Sequence, residues 1–247
     1  MAGGLVTALR TLTVLPVPGK EAERFSSSLH WFTVVGLLLG AAQAGLAWLG
    51  MAAGWPELAA LLPVIGGVLL TRGLHADGLA DLADGFFGGR TRESRLRIMK
   101  DPNVGSFGAL SLVLVLFLKW VALSRLVRFG GYGIIASGVV LARMAQVVLA
   151  ERLPYARKEN GTATAFVNGA GLTHLFTAMV SAGVIVSALM RFDLTDSVVL
   201  MVVALVSAGG LGFLSFRRIG GVTGDVLGAV SEITEVLVWT AGALLLR

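Results

Sequence analysis

Asp77, Asp81 and Asp84 stand at i, i+4 and i+7 within Leu74-His75-Ala76-Asp77-Gly78-Leu79-Ala80-Asp81-Leu82-Ala83-Asp84-Gly85. At about 100° per residue they fall near about 0°, 40° and −20°, one narrow stripe of a helix. No Lys or Arg lies between them. Like charges this close repel, by roughly 1 kcal/mol per pair in water and roughly 4 kcal/mol near a protein surface. A divalent cation relieves that repulsion. All-carboxylate ligands suit a hard ion, Mg²⁺ or Mn²⁺, better than zinc. Mg²⁺ in proteins usually holds phosphates. The stripe therefore predicts a Mg²⁺–phosphate site with Asp77, Asp81 and Asp84 as metal ligands. His75 is a further candidate, as a ligand or as a hydrogen-bonding partner of phosphate; the plainer reading is a polar cap near an interface.

Four other constellations bear on chemistry. Arg90, Arg92, Arg95, Arg97 and Lys100 crowd one short segment and could dock phosphates. Anionic lipid headgroups would suit the same loop. Lys100-Asp101-Pro102-Asn103-Val104-Gly105-Ser106-Phe107-Gly108 follows, where Asp101 and Pro102 could simply start a helix. Gly220-Gly221-Val222-Thr223-Gly224-Asp225 leads into an apolar run carrying Glu232 and Glu235. Asp225 and Glu232, at i and i+7, share a face. An Asp inside a membrane helix costs roughly 2.5–3.5 kcal/mol on insertion scales, so such carboxylates should face a cavity, here the Asp stripe. A glycine-rich helix start, with Thr223 and Gly224, also suits an anion. Last, Arg143 lies within an apolar stretch with Arg157 and Lys158 below it. It either snorkels or faces the acidic cluster, and Lys119 poses the same question.

The elements that position these residues are membrane helices. Hydrophobic residues make up 55% of the 247-residue chain and charged residues 14%, with mean hydropathy +0.82. Runs of about 20 apolar residues suffice to span a bilayer. About seven spans are expected: 31–53, 58–74, 107–126, 132–150, 172–190, 198–214 and 226–246, in a single all-α domain over 1–247. The N-terminal segment reads as an interfacial helix and not as a cleaved signal. With no cysteine there is no disulfide framework or thiolate metal site. The net charge of +5 does not argue for nucleic acid. Of the 20 Lys and Arg, about 14 fall in the N-terminal segment and the loops after spans two, four and six. The other side holds Arg125, Arg128, Arg191 and Arg247. The positive-inside rule then predicts a cytoplasmic N-terminus, an outer C-terminus and an active site facing the cytoplasm.

At these residues the chain resembles the cobalamin synthase family. The matching segments are His75-Ala76-Asp77-Gly78-Leu79-Ala80-Asp81 with Asp84-Gly85, and Ile98-Met99-Lys100-Asp101 with Gly105 and Gly108. Gly220-Gly221 with Thr223-Gly224-Asp225 and Leu227-Gly228-Ala229 also match, as do Leu15-Pro16-Val17-Pro18 and Pro154-Tyr155-Ala156-Arg157. The resemblance runs in order over most of the chain. It implies a Mg²⁺-dependent enzyme of the cytoplasmic membrane. A ribose hydroxyl of α-ribazole, or of its 5′-phosphate, attacks the phosphorus attached to the cobinamide side chain of adenosylcobinamide-GDP, and GMP leaves. The Asp stripe would hold the metal on the diphosphate, and a spare carboxylate would serve as general base. The catalytic candidates are thus Asp84, Asp225, Glu232 and His75. Arg90, Arg97, Lys100, Arg143, Arg157, Thr223 and Gly224 are the substrate-binding candidates. A homo-oligomer is compatible with the sequence. Two rival readings are a CDP-alcohol phosphotransferase, whose Asp-x-x-Asp-Gly motif Asp81–Gly85 echoes, and a cation transporter. The first should show Ala-Arg soon after that motif, where Phe86-Phe87 stands here. The second expects carboxylates at span midplanes.

Overall fold

The computed structural model describes residues 2–157, 161 and 163–246; Lys158 and Arg247, counted above among the basic residues, lie outside the described residues. The architecture is all-α and polytopic. A short helix α1 (Ala2–Leu12) precedes a 3-10 turn (Phe25–Trp31) that runs into α2 (Phe32–Ala52). Then come α3 (Pro56–Leu70), α4 (Leu74–Ala83) and the short α5 (Arg92–Ile98). The long helices α6 (Ser106–Arg128) and α7 (Tyr132–Arg152) follow, then the single turn α8 (Thr164–Asn168). The chain closes with α9 (Leu172–Leu189), α10 (Leu194–Ile219) and α11 (Gly224–Leu245). Six of these, α2, α6, α7, α9, α10 and α11, are long and apolar enough to cross a membrane.

The second expected span needs correction. Its apolar part ends at Leu70, and the Asp-rich stretch does not continue it but turns away by 89° as α4. The break is built by Arg72 and Gly73, both in the left-handed region at φ 55° and 68°. Glycine adopts that conformation freely, whereas an arginine there carries strain. At 1.5 Å per residue α3 is about 22 Å long, short of a hydrocarbon core of about 30 Å. It nevertheless joins the two ends of the bundle. At one end Trp120 donates to the Glu57 carbonyl and Arg128 lies 4.0 Å from the Glu57 carboxylate. At the other the Leu70 carbonyl accepts from Val14 N–H, and Arg72 donates to the Arg10 carbonyl. Arg125, near the end of α6, donates to the carbonyls of Ala243 and Leu246, so α11 ends at the Glu57 end of the bundle.

The hub is α7, 89% buried in its apolar window against 22% for α6 and 17% for α9. Its sequence, rich in Ala, Ser and Gly, allows neighbours to approach closely. A Cβ on Gly40 of α2 would stand 2.8 Å from the Ala136 Cα of α7, a distance no larger residue tolerates. On the other side Trp239 of α11 lies against Gly138 and donates its indole N–H to the Ile135 carbonyl at 2.9 Å. With α7 fixed between α2 and α11, the N-terminal end of α11 is held where α4 can cross it.

Candidate active site

The crossing of α4 and α11 depends on two glycines. A Cβ on Gly78 would meet the Asp225 carbonyl oxygen at 2.8 Å, and one on Gly228 would stand 3.3 Å from the Cα atoms of Gly78 and His75. Only bare backbone lets the helices come this close. As a result Asp77, beside Gly78, and Asp225, at the start of α11, line one cavity of about 320 Å³. An adjoining groove of about 580 Å³ also has Asp77 on its wall, with Arg72, Ala76 and Ala80. Asp81 lies one turn further along α4, half-buried.

The local chemistry of the α11 start follows from its sequence. Thr223 caps the helix, its hydroxyl accepting from Val226 N–H and donating to the Asp225 carboxylate at 3.1 Å. Tyr155 and Val222 form a parallel bridge, with Ala156 N–H on the Val222 carbonyl and Val222 N–H on the Pro154 carbonyl. That pairing carries Arg157 to Asp225, where its guanidinium donates at 2.7 Å. Gly224 is exposed and lines the same cavity.

The carboxylates crowd one another. Burial first, then the charges of Asp225 and Asp77, push the Asp81 carboxyl up to about 7. Asp81 belongs to α4, which is not one of the six spanning helices. Among the described residues no group of three His, Asp or Glu side chains is gathered closely enough to hold a metal ion. The donor chemistry still fits a hard dication: Asp77, Asp81 and Asp225 offer only carboxylate oxygens and interact electrostatically, and Arg157 is the cation that pairs with one of them.

Asp84 departs from the expected stripe. It is buried, and its two oxygens accept from Gly105 N–H at 2.7 Å and Gly108 N–H at 2.8 Å. Its position as the first residue of a one-turn π-helix (Asp84–Gly88) aims it at the start of α6, which it caps from outside the helix. Asp101 does not start that helix; it closes a local turn by accepting from Asn103 N–H at 2.9 Å.

Glu232 also departs. It does not face the Asp stripe but accepts from Lys119 Nζ at 2.7 Å, as does Glu235. Arg143, buried on α7, donates to the Ser231 hydroxyl in the same network and lines neither the cavity nor the groove. The physical reason is pairing. Two cations and two carboxylates inside an apolar bundle are far better placed together than each alone. His75 is buried and lines the cavity, with Nε2 lacking a hydrogen-bond partner among the described residues. Burial first, then the charges of Arg143 and Lys119, hold it well below the ordinary histidine range.

The basic segment divides. Arg92 donates to the carbonyls of Ile219 and Ala156, and Arg95 to that of Arg218, so these two stitch loops together. Arg90, Arg97 and Lys100 are exposed and outside the cavity lining. In their place Arg10 and Arg72 line it, with Gln146, Phe32 and Phe166. Of these only Arg72 carried a sequence signal, its place directly before the motif. The others come from helices remote in the chain.

Comparison with known proteins bears on these residues together. Residues 4–243 match the family described as cobalamin-5-phosphate synthase. The chain is similar to the adenosylcobinamide-GDP ribazoletransferase of Chlorobaculum parvum, 62% identical over 247 residues, covering 100% of this chain and 97% of that protein. The protein of the same name from Chlorobaculum tepidum is 60% identical with the same coverage. That from Chlorobium phaeobacteroides is 61% identical over 242 residues, 98% of each chain. No solved structure matches the chain.

Proposed function

The chain belongs to the cobalamin-5-phosphate synthase family, and we propose that Asp77, Asp81 and Asp225 form the metal and phosphate end of its active site. The protein is an enzyme of the adenosylcobinamide-GDP ribazoletransferase kind, a transferase of cobalamin biosynthesis that joins the cobinamide and ribazole parts. That membership displaces the CDP-alcohol phosphotransferase and the cation transporter as readings.

The reaction breaks one phosphorus–oxygen bond and makes another. A ribazole hydroxyl oxygen attacks the phosphorus on the cobinamide side, and the bond to GMP breaks. The hydroxyl proton passes to whichever of Asp77 and Asp225, both on the cavity wall, keeps a carboxylate oxygen free of the metal. Arg157, Arg72 and Arg10 draw the diphosphate to the site, and the exposed start of α11 at Gly224 offers backbone N–H groups to an anion. Mg²⁺, held by Asp77, Asp81 and Asp225, would offset charge on the diphosphate and on the departing GMP.

One observation supports this reading most: the Gly78–Gly228 contact brings carboxylates from two distant motifs to one cavity. The site lies at the end of the bundle where the basic loops gather, which supports a site facing the cytoplasm of a bacterial cell membrane. Membranes containing the protein, given Mg²⁺, adenosylcobinamide-GDP and α-ribazole, should form corrinoid product and GMP in equal amounts. Product formed at the same rate with the metal chelated would refute the Mg²⁺ role. No product at all would refute the transfer.

A further inference from the structure

Part of the lining of the cavity of about 320 Å³ is not used by the phosphate chemistry. Phe32 and Phe166, ring centroids 6.2 Å apart, give it an aromatic wall together with Leu29. Two buried polar side chains, His75 and Gln146, also line it. The Gln146 amide N–H donates to the Leu227 carbonyl at 3.0 Å, which leaves Oε1 as the acceptor. Oε1 has no partner among the described residues, and neither has His75 Nε2. Buried polar atoms of this kind are normally satisfied, and a bound ligand is one way to satisfy them. Asp77 and Asp225 stand on the same lining.

Resting on the transferase reading above, we propose that this cavity is the acceptor subsite: it encloses the ribazole nucleoside, with Gln146 Oε1, which itself exposes less than 1 Å², turning toward the cavity to accept from a ribose hydroxyl. Ribazole is an aromatic benzimidazole on a ribose. The aromatic wall suits its base, the free acceptor suits its sugar, and Asp77 and Asp225 meet the hydroxyl that attacks. Size supports the same choice. A cavity at the lower end of the roughly 300–1,000 Å³ range encloses one small molecule. A corrin ring with a nucleotide appended is several times larger than a nucleoside and does not fit there. The open groove of about 580 Å³ shares Thr11, Arg72, Leu74 and Asp77 with the cavity. It therefore receives the donor, whose diphosphate lies at the junction beside Arg72 and Asp77, which both spaces share. Gln146 is a specificity-determining residue in this scheme, and the proton transfer remains with the carboxylates.

The test is steady-state kinetics of the full-length protein in lipid nanodiscs with Mg²⁺. Gln146→Met keeps the side-chain volume and removes the acceptor. The KM for α-ribazole should rise about 10-fold, the cost of leaving a ligand donor unpaired. The KM for adenosylcobinamide-GDP should stay within about twofold, as independent sites do. Ala163→Leu narrows the cavity without removing a polar atom and covers the case in which the first variant fails to fold. It should raise the same KM, and raise it less for an α-ribosyl imidazole, whose base is smaller. A rise confined to adenosylcobinamide-GDP, an equal rise for both substrates, or no change in either KM would overturn the assignment. Wild-type protein that forms no product refutes ribazole transfer itself and the subsite with it, an outcome distinct from a wrong KM pattern in active enzyme.

Discussion

Gly78 of α4 packs against Gly228 of α11 so closely that a Cβ on Gly78 would stand 3.2 Å from the Gly228 Cα and 2.8 Å from the Asp225 carbonyl oxygen. Both nearest groups are backbone and cannot rotate aside. Gly78→Ala must therefore push the helices apart, moving Asp77 away from Asp225. Misplacement by about 1 Å costs on the order of 100-fold in rate. We expect kcat to fall by about that factor in Gly78→Ala. Gly45, whose Cβ would meet nothing, supplies the control: Gly45→Ala should retain activity. Equal rates in both variants would show that the close crossing does not position the carboxylates.

The four aspartates should separate into two kinds. Asp77→Asn, Asp81→Asn and Asp225→Asn each remove charge from the cavity end and should abolish most turnover with little loss of thermal stability. Asp84→Ala should do the reverse in order of severity. It leaves Gly105 and Gly108 N–H groups without their charged acceptor, and hydrogen bonds to charged groups are worth about 1.5–3 kcal/mol each. Unfolding temperatures in detergent, read beside activity, check this. An Asp84→Ala protein as stable as wild type would contradict the capping role.

The parts legible in the sequence were those whose partners lie within a helical turn or two. The i, i+4 spacing exposed the pairing of Asp77 with Asp81, and apolar length exposed the six long helices. Asp84 was misread because its partners lie 21 and 24 residues away, across a π-helical turn that periodicity does not reveal. Glu232 was misread because its cation is Lys119, 113 residues earlier, and only helix packing joins them. The bend at Arg72–Gly73 was hidden for a different reason. Thr71-Arg72-Gly73 interrupts the apolar run, but such an interruption does not by itself distinguish a bend from the end of a span, and an arginine in the left-handed region has no sequence signature. The aromatic wall of the cavity comes from α2 and α8, whose residues carry no motif of their own.

Metal dependence should vary with pH in a defined direction. Asp81 has its carboxyl raised to about 7, chiefly by burial and then by Asp225 and Asp77. A raised carboxyl binds its proton more tightly folded than unfolded. Its contribution to stability is thus present at low pH and lost as pH rises through about 7. A dication must displace that proton, so metal binding weakens as pH falls. The Mg²⁺ concentration giving half-maximal activity should rise between pH 8 and pH 6, and Asp81→Asn should remove this dependence from Mg²⁺-induced thermal stabilisation. A half-maximal concentration constant over that range would refute the link.

Lys119 offers the sharpest test of the buried network. Its ammonium bonds Glu232 and Glu235 at 2.7 Å each and lies 5.3 Å from the Trp239 ring centroid. All four side chains belong to helices that cross the bundle. Lys119→Met leaves two carboxylates buried with Arg143 as the nearby cation. Removing one partner of a buried pair typically costs about 3–5 kcal/mol, whereas replacing the whole set with neutral groups is often tolerated. The single variant should therefore accumulate poorly in the membrane and unfold at lower temperature. Adding Glu232→Gln and Glu235→Gln to Lys119→Met should restore most of the lost stability and much of the activity, because the carboxylates proposed to react, Asp77 and Asp225, are elsewhere. Full stability but no activity in the triple variant would return Glu232 or Glu235 to the chemistry. A triple variant no more stable than Lys119→Met would mean that the network holds the fold by geometry and not by charge balance.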